Sequence, residues 1–293
     1  MPSPSVPPRP NNPSQPPGRV SLVDGQLVRE RGPTAWKTMA VRSLGLFAHL
    51  GQISRMFVGA LRAGFRRPFE TRAIMEQIEA VGVTSLGIVA VSSVFIGMVM
   101  AVQFAYGLQK FGGMEYTPRV IALSFARELA PTLTSIIVGG RIGAGMAAEV
   151  GSMNVTEQID AVRALGADPL KKLVWPRLLA STLVMPLLCG VALALGVGGA
   201  MFITATQFDI GLSFFLQSAL GSMRMSDFLS GLVKTPFFGC LIALIGCHLG
   251  MQTRGGTAGV GASTTRAVVA ISITIFIADF VLTKVAIILW PAV

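Results

Sequence analysis

Two adjacent charged residues, Arg127 and Glu128, interrupt an apolar segment that runs from Val120 to Gly140. An arginine guanidinium carries two parallel donors that match the oxygens of a phosphate group, and a lysine cannot reproduce this fork. Arg127 lies about nine residues beyond Pro118, which is roughly 13 Å along a helix. Charges at such a depth are costly and usually face a cavity or a partner group. The pair therefore predicts either an anion-binding site or a structural ion pair between helices, and the residues leave both open.

Pro131 follows Arg127 by four residues and limits what the helix backbone can do there. Because proline has no backbone N–H, we expect a kink and a free carbonyl oxygen at Arg127. Glu128 points about 100° away from Arg127 around a helix. We expect Glu128 to pair with a cation on another helix or to stay protonated, and not to share a ligand with Arg127.

Two further charges, Lys234 and Asp279, lie in apolar segments nearer the C-terminus. Lys284 follows Asp279 by five residues, about 140° around a helix, so these two residues do not face each other well. Lys234 is the other candidate partner for Asp279, in an intramembrane ion pair. We expect this pair to be weak, because Lys234 should lie several ångströms nearer the outer surface than Asp279. Either lysine can instead extend its ammonium group toward the membrane surface.

The stretch from Arg141 to Arg177 is the longest polar interruption between apolar segments, and it has the signals of a capped helix. Asn154 can serve as the N-cap, with Glu157 three residues later as its capping-box partner. Gly166 suits the C-terminal cap, and Asp168-Pro169 is expected to stop the helix. Apolar residues between these caps fall near one face: Ile159, Val162 and Leu165. A short capped helix between two membrane spans is typical of a docking element, although an ordinary structured loop also explains the pattern.

The elements that must hold these residues are membrane-spanning helices. The composition is 52% hydrophobic and 13% charged, whereas soluble domains carry about 25% charged residues. A bilayer crossing needs about 20 apolar residues, and the segments of sufficient apolar length predict five spans: 80–109, 120–140, 178–208, 229–250 and 267–289. The expected fold class is therefore an all-α membrane protein with five transmembrane helices, preceded by an N-terminal interfacial amphipathic helix.

Three regions are expected along the chain. Residues 1–33 are rich in proline, with Ser, Asn and Gln between, and they predict a disordered tail whose role is open. Residues 34–82 place apolar residues at three- to four-residue spacing opposite a basic face, which predicts interfacial or elbow helices. Residues 83–293 are expected to form the five-helix transmembrane domain, with the loop 141–177 on its cytoplasmic side.

Several kinds of chemistry have no residues to support them in this sequence. No lysine follows a glycine, so there is no GxxxxGK[ST] phosphate loop, and neither HExxH nor GxSxG occurs. The two histidines are far apart and the three cysteines lie in apolar segments, so we expect no catalytic residue and no metal site. The net charge of +10 is carried by residues that flank apolar segments, which favours anionic lipid headgroups over nucleic acid as the basic residues' partners.

The distribution of lysine and arginine predicts the orientation in the membrane. Residues 1–82 hold eleven of these cations and the loop 141–177 holds five, whereas the loops on the other side hold two and one. Short loops rich in Lys and Arg stay in the cytoplasm. The N-terminus and the loop 141–177 are therefore expected in the cytoplasm, and the C-terminus on the opposite, periplasmic side.

Three segments carry a family resemblance: VFIGMVMAVQ at 94–103, ALSFARELAPTLTSIIVGGRIGAGMAAEVGSMNVTEQIDAVRALGADPLKKLVWPR at 122–177, and STTRAVV with ADFVLT between 263 and 283. They resemble the MlaE/YrbE permease family, the membrane subunits of Mla and Mce lipid ABC transporters. The resemblance runs from about residue 35 to the end, and its central block is long and specific. The Pro-rich tail matches nothing in the shared pattern.

The resemblance implies a homodimeric permease of the bacterial inner membrane that moves phospholipid or a related lipid. It implies a cytoplasmic ABC ATPase that binds ATP and Mg, a periplasmic MCE-domain protein and often a small STAS-domain protein, while this chain binds no cofactor. Within such a permease, our own expectation from the residues is that Arg127 contacts a lipid phosphate in a cavity at the dimer centre, with Glu128 and Pro131 beside it in the lipid pathway. The helix that couples to the ATPase would lie within 141–177, with these candidate contact residues: Glu149, Asn154, Glu157, Gln158, Asp160 and Arg163.

Two other functions stay open on the residues. A secondary transporter driven by protons or sodium would use Glu128, Asp279 and Lys234, and its activity would collapse with the ion gradient. An intramembrane enzyme could use Arg127 and Glu128, but no nucleophile or metal constellation accompanies them. The sequence does not say which lipid moves, in which direction it moves, or whether a STAS partner is present.

Overall fold

The computed structural model describes residues 20–23, 26–29, 35–65 and 70–289. The described residues form two β-strands and nine α-helices: β1 Val20–Val23, β2 Gln26–Arg29, α1 Ala35–Gly64, α2 Thr71–Gln109, α3 Thr117–Ser124, α4 Ala130–Val155, α5 Gln158–Ala164, α6 Trp175–Gln207, α7 Leu212–Ser222, α8 Met225–Met251 and α9 Gly256–Leu289. A 3₁₀ turn at Met114–Tyr116 precedes α3. Two π-helical turns, at Phe125–Leu129 and Leu170–Val174, lead into α4 and α6.

The described residues up to Gln52 form one compact unit, and those from Ile53 onward form a second. In the first unit, β1 and β2 pair as an antiparallel hairpin, with Val20 opposite Arg29. This hairpin differs from the disordered tail expected over 1–33. Its strands are rich in Val and Leu, and Asp24-Gly25 between them is a dipeptide that favours two-residue hairpin loops. The rest of the predicted tail lies outside the described residues.

Five helical segments of the described chain are long and apolar enough to cross a membrane. They are Thr71–Gln109, Met114–Val155, Leu170–Gln207, Met225–Met251 and Gly256–Ile288. The predicted all-α fold class, with five spans after an N-terminal helix, is confirmed. Each segment is longer than the roughly 20 residues that the apolar layer requires, because polar ends extend the helices.

Two helices continue where the sequence predicts a break. α2 is one helix of 39 residues, so the short amphipathic helix expected before residue 82 is its first part. α4 continues through Val155, so the predicted loop 141–177 is largely helical and the segment between the second and third spans is 156–169. Ala147 and Val150 are fully buried, which gives this polar part of α4 an apolar face to pack.

Small residues let the helices of the second unit approach at backbone level. A Cβ atom at Gly97 of α2 would overlap the carbonyl oxygen of Gly196 of α6, so these two helices pack closely. α4 packs on both α8 and α9, with Val138, Ile242 and Ile271 almost fully buried. The packing of α4, α8 and α9 brings the intramembrane charges together.

Candidate functional site

The span that carries Arg127 contains a π-helical turn between α3 and α4. Pro131 gives a local reason, since it offers no N–H to the carbonyl four residues earlier, and π turns are frequent at functional sites. That carbonyl, of Arg127, accepts a hydrogen bond from Nζ of Lys234 at 3.1 Å. The oxygen that cannot accept a bond from Pro131 is thus bonded by a side chain of another helix.

Arg127 is held by Asp227, in the first turn of α8. Nε and Nη2 of Arg127 donate to Oδ1 of Asp227 at 2.9 and 2.5 Å. The Asp227 side chain is 6% exposed, whereas that of Arg127 is 47% exposed. Oδ2 of Asp227 accepts from the backbone N–H of Arg224 at 3.0 Å, which is a capping-box contact. The carboxylate thus fixes one edge of the guanidinium, while about half of the arginine side chain stays exposed.

Lys234 of α8 is the centre of a second set of contacts, and its side chain is 4% exposed. Nζ lies 2.9 Å from Oε2 of Glu128 and 3.2 Å from Oδ1 of Asp279. Nζ also donates to Oγ1 of Thr283 at 2.7 Å, and that hydroxyl donates to Oε1 of Glu128 at 3.1 Å. Lys234 therefore joins the π turn, α8 and α9 at one point.

We call five residues the charged cluster: Arg127, Glu128, Asp227, Lys234 and Asp279. Gly231 allows the cluster to form, because a Cβ atom there would overlap the carbonyl oxygen of Ala126 in the π turn. Sequence reasoning missed Asp227, although an acidic residue just before an apolar run is a signal for the first turn of a helix. The structure brings Lys234 and Asp279 together, and it gives Glu128 a cation on another helix.

The short helix between the second and third spans is α5, and its N-terminus differs from the prediction. Asn154 lies in the last turn of α4, and Glu157 precedes α5 with a φ of 60°. Within this described segment, the Glu157 side chain makes no capping hydrogen bond. The predicted capping box of Asn154 and Glu157 is therefore wrong, because α4 continues to Val155 and leaves no separate N-cap at Asn154.

The C-terminal end of α5 does match the prediction. Gly166 has a φ of 75°, and its N–H donates to the Arg163 carbonyl at 2.9 Å. The N–H of Ala167 donates to the Val162 carbonyl at 3.1 Å, which completes a Schellman motif. Asp168 acts at the start of the next helical segment instead of as a stop, because its Oδ1 accepts from the N–H of Leu170 at 2.9 Å.

α5 presents a surface that is charged and partly apolar. Asp160 and Arg163 form an exposed ion pair at 2.8 Å, and Glu157 and Gln158 are also exposed. The apolar face expected for this helix is divided: Ile159 is buried, Val162 is half-buried and Leu165 is 85% exposed. Both charges and an apolar side chain are therefore available to a partner.

Two further candidate residues lie in α4, shortly before α5, and connect it to neighbouring helices. Glu149 pairs with Arg177 of α6 at 2.7 Å, and the Arg177 side chain is 5% exposed. Nδ2 of Asn154 donates to the Thr253 carbonyl at 3.0 Å. Thr253 in turn donates to Oγ of Ser263 in α9 at 2.7 Å. These contacts tie the end of α4 to α6 and to the start of α9.

Comparison with known proteins places this arrangement in a family. Residues 74–285 match the family described as Permease MlaE. The chain is 41% identical over 213 residues to Protein TRIGALACTOSYLDIACYLGLYCEROL 1, chloroplastic, of Arabidopsis thaliana, which is 73% of this chain but only 61% of that protein. It is 41% identical over 211 residues to a probable ABC transporter permease protein of Synechocystis sp., with 72% of this chain and 80% of the relative covered.

A probable ABC transporter permease protein of Rickettsia bellii is 36% identical over 243 residues, with 83% of this chain and 94% of the relative covered. The family match spans the whole charged cluster and α5. The resemblance drawn from the sequence is confirmed, and the chain belongs to the MlaE permease family.

Proposed function

We propose that this chain is the permease subunit of an ABC transporter that moves phospholipid, or a related lipid, between the inner membrane and a periplasmic MCE-domain carrier. A separate cytoplasmic ATPase, which binds ATP and Mg, supplies the energy. The family match supports a permease, and the names of the Synechocystis and Rickettsia relatives support the ABC type. The Arabidopsis relative is named after a galactolipid, which supports a lipid substrate. The working unit is a homodimer, in some systems with a STAS-domain protein.

One observation carries the lipid assignment: a partly exposed arginine side chain inside a membrane span. Asp227 engages Nε and Nη2 of Arg127, while 47% of the side chain is exposed. An oriented guanidinium is the side chain best matched to phosphate oxygens, and ionisable groups within spans usually line a transport path. A lipid phosphate fits this position, with Glu128 and Pro131 at its side.

The second candidate function is an ion-gradient-driven transporter, and Lys234 is the observation in its favour. A buried lysine between two carboxylates, Glu128 and Asp279, is the kind of group that proton-coupled transporters use. An uncoupler distinguishes the two functions. Lipid transfer in proteoliposomes that contain the ATPase and ATP should persist without a proton or sodium gradient, whereas a secondary transporter would stop.

Arg127→Lys tests the phosphate contact. Lysine keeps a positive charge beside Asp227 but lacks the planar fork, so the protein should fold and bind phosphate more weakly. We expect about tenfold less phospholipid retained on the purified protein, measured by lipid mass spectrometry, and slower ATP-dependent transfer. Arg119→Lys changes an exposed arginine at the start of the same span and is the matched control. Normal bound lipid and normal transfer in a folded Arg127→Lys protein would remove Arg127 from the lipid pathway.

A further inference from the structure

A groove of about 470 Å³ lies between the first part of α2 and the middle of α6, and it shares no residue with the charged cluster. Its walls are mainly apolar and come from both helices: Met75, Ile78, Val83, Leu86, Val184, Leu187, Leu188 and Val191. The volume is within the range of about 300–1,000 Å³ that is usual for small-ligand sites. The groove is therefore large enough for part of an elongated apolar ligand.

The groove exists because α2 and α6 pack unevenly along their length. They meet at backbone level at Gly97 and Gly196, whereas nearer the start of α2 the contact involves a side chain, that of Val184 against Gly82. Leu187, Met75 and Val83 are 71%, 64% and 62% exposed on its walls. This apolar surface faces outward from the protein, so a ligand can enter it from the side.

Charged residues lie at one end of the same groove. Arg72, Glu76 and Glu79 line it there, and a neighbouring pocket of about 350 Å³, formed by residues 70–73 and 76, shares Arg72 and Glu76. Arg72 pairs with Glu76 at 3.0 Å. Glu79 has no ionic partner within the described part of the chain. This end thus presents one guanidinium and two carboxylates next to an apolar channel.

We propose that this groove binds one phospholipid of the adjacent bilayer leaflet, with a headgroup that carries a primary amine. An acyl chain lies along the apolar walls, the phosphate meets Arg72, and the amine meets Glu79. A headgroup with both charges suits this end, because an anionic headgroup without an amine would meet an excess of carboxylate. The start of α2 is the end expected at the cytoplasmic surface, so the lipid belongs to that leaflet. The site requires no transport activity and so does not rest on the proposed function.

Photocrosslinking locates the lipid. Full-length protein in nanodiscs is irradiated with phosphatidylethanolamine that carries a photoreactive group on its acyl chain, and the labelled peptides are identified by mass spectrometry. Crosslinks are expected in residues 72–86 and 184–191. Leu187→Trp fills the groove and should lower these crosslinks roughly fivefold. Leu183→Trp, at an exposed position of α6 outside the groove, should leave them unchanged.

Glu79→Gln tests the headgroup. Wild-type protein should capture phosphatidylethanolamine about two- to fivefold better than phosphatidylglycerol with the same reactive chain, as one exposed ionic contact allows. Glu79→Gln should lose this preference, and Glu115→Gln, in the turn between α2 and α3, should keep it.

Equal capture of the two headgroups by the wild type would overturn the proposal, as would equal labelling of the two Trp variants. Crosslinks spread evenly over other exposed span faces would show general annular lipid only and would also overturn it. Failure of lipid transfer with intact groove crosslinks would count against the proposed function alone.

Discussion

Lys234 is the residue on which the membrane-embedded contacts depend most. Its side chain is 4% exposed, and its ammonium group contacts Glu128, Asp279 and the carbonyl of Arg127. A buried ammonium group needs such acceptors, and removal of one partner from a buried pair leaves an uncompensated charge. Lys234 and the two carboxylates therefore compensate each other's charge, and removal of either leaves the other without an ionic partner in this set of contacts.

Lys234→Met should lower the free energy of unfolding by up to about 3 kcal/mol, because Asp279 and the more exposed Glu128 lose their shared cation. Thermal or denaturant unfolding of the detergent-solubilised protein measures this. Adding Glu128→Gln and Asp279→Asn should restore much of the loss, since no carboxylate is then left without a cation. Lys284→Met, at an exposed position of α9, is the control and should change stability by less than about 1 kcal/mol. Wild-type stability in Lys234→Met would show that the lysine is not held as described.

Sequence reasoning at the level of single residues found the charges but not all of their partners. The depth of Arg127 and Glu128 in an apolar segment is visible in the sequence, and Pro131 predicts the free carbonyl. Asp227 lies 100 residues from Arg127 in the sequence. It is at the end of a span, where helix capping alone is enough to explain an acidic residue. Which cap also forms an ion pair depends on how α8 packs on the π turn, and that packing depends on Gly231.

α5 has the exposed surface at which we propose that the ATPase docks. Since the Glu157 side chain makes no capping hydrogen bond in this described segment, Glu157→Lys should leave the melting temperature unchanged. It reverses an exposed charge, and we expect about three- to tenfold less ATPase recovered with the purified permease. Co-purification with the tagged ATPase measures this, and Glu157→Gln separates charge reversal from simple charge loss. Normal ATPase recovery with Glu157→Lys would exclude Glu157 from the docking surface.

The five spans could be predicted from apolar runs, but several helix ends could not. A hydrophobicity profile assigns polar residues such as Arg141 and Glu149 to a loop. In the structure both belong to α4, because Glu149 has Arg177 as a partner and the opposite face of the helix is packed. The glycine cap at Gly166 was predictable because it depends on local backbone geometry alone. The start of α5 was not, because a side chain of α4 bonds instead to the loop before α9.

At the scale of the whole molecule, the distribution of Lys and Arg predicts that α5 faces the cytoplasm and that the turn at Met114–Tyr116 faces the periplasm. In a background without the three native cysteines, Glu115→Cys should react with an impermeant thiol reagent in intact cells. Gln158→Cys should react only after the inner membrane is opened. Both positions are exposed, so access to the reagent depends on the side of the membrane. The reverse pattern of labelling would invert the orientation.

The charged cluster joins residues that leave the ribosome at different times. Arg127 and Asp227 are 100 residues apart, and Glu128 and Lys234 are 106 apart. At about 5–20 residues per second, the second span waits roughly 5–20 s before the fourth is made. During that interval two charges lie in a nascent helix without their cluster partners, each at a cost of about 2.5–3.5 kcal/mol on insertion scales.

Biogenesis of the second span should therefore finish only after the fourth span arrives. A chain truncated before Met225 should leave the second span poorly integrated and extractable by alkali, whereas a chain that ends after Met251 should retain it. Protease protection of the two truncated chains, made on membranes in vitro, measures the difference. Equal integration of both would show that the second span enters the bilayer without its charge partners.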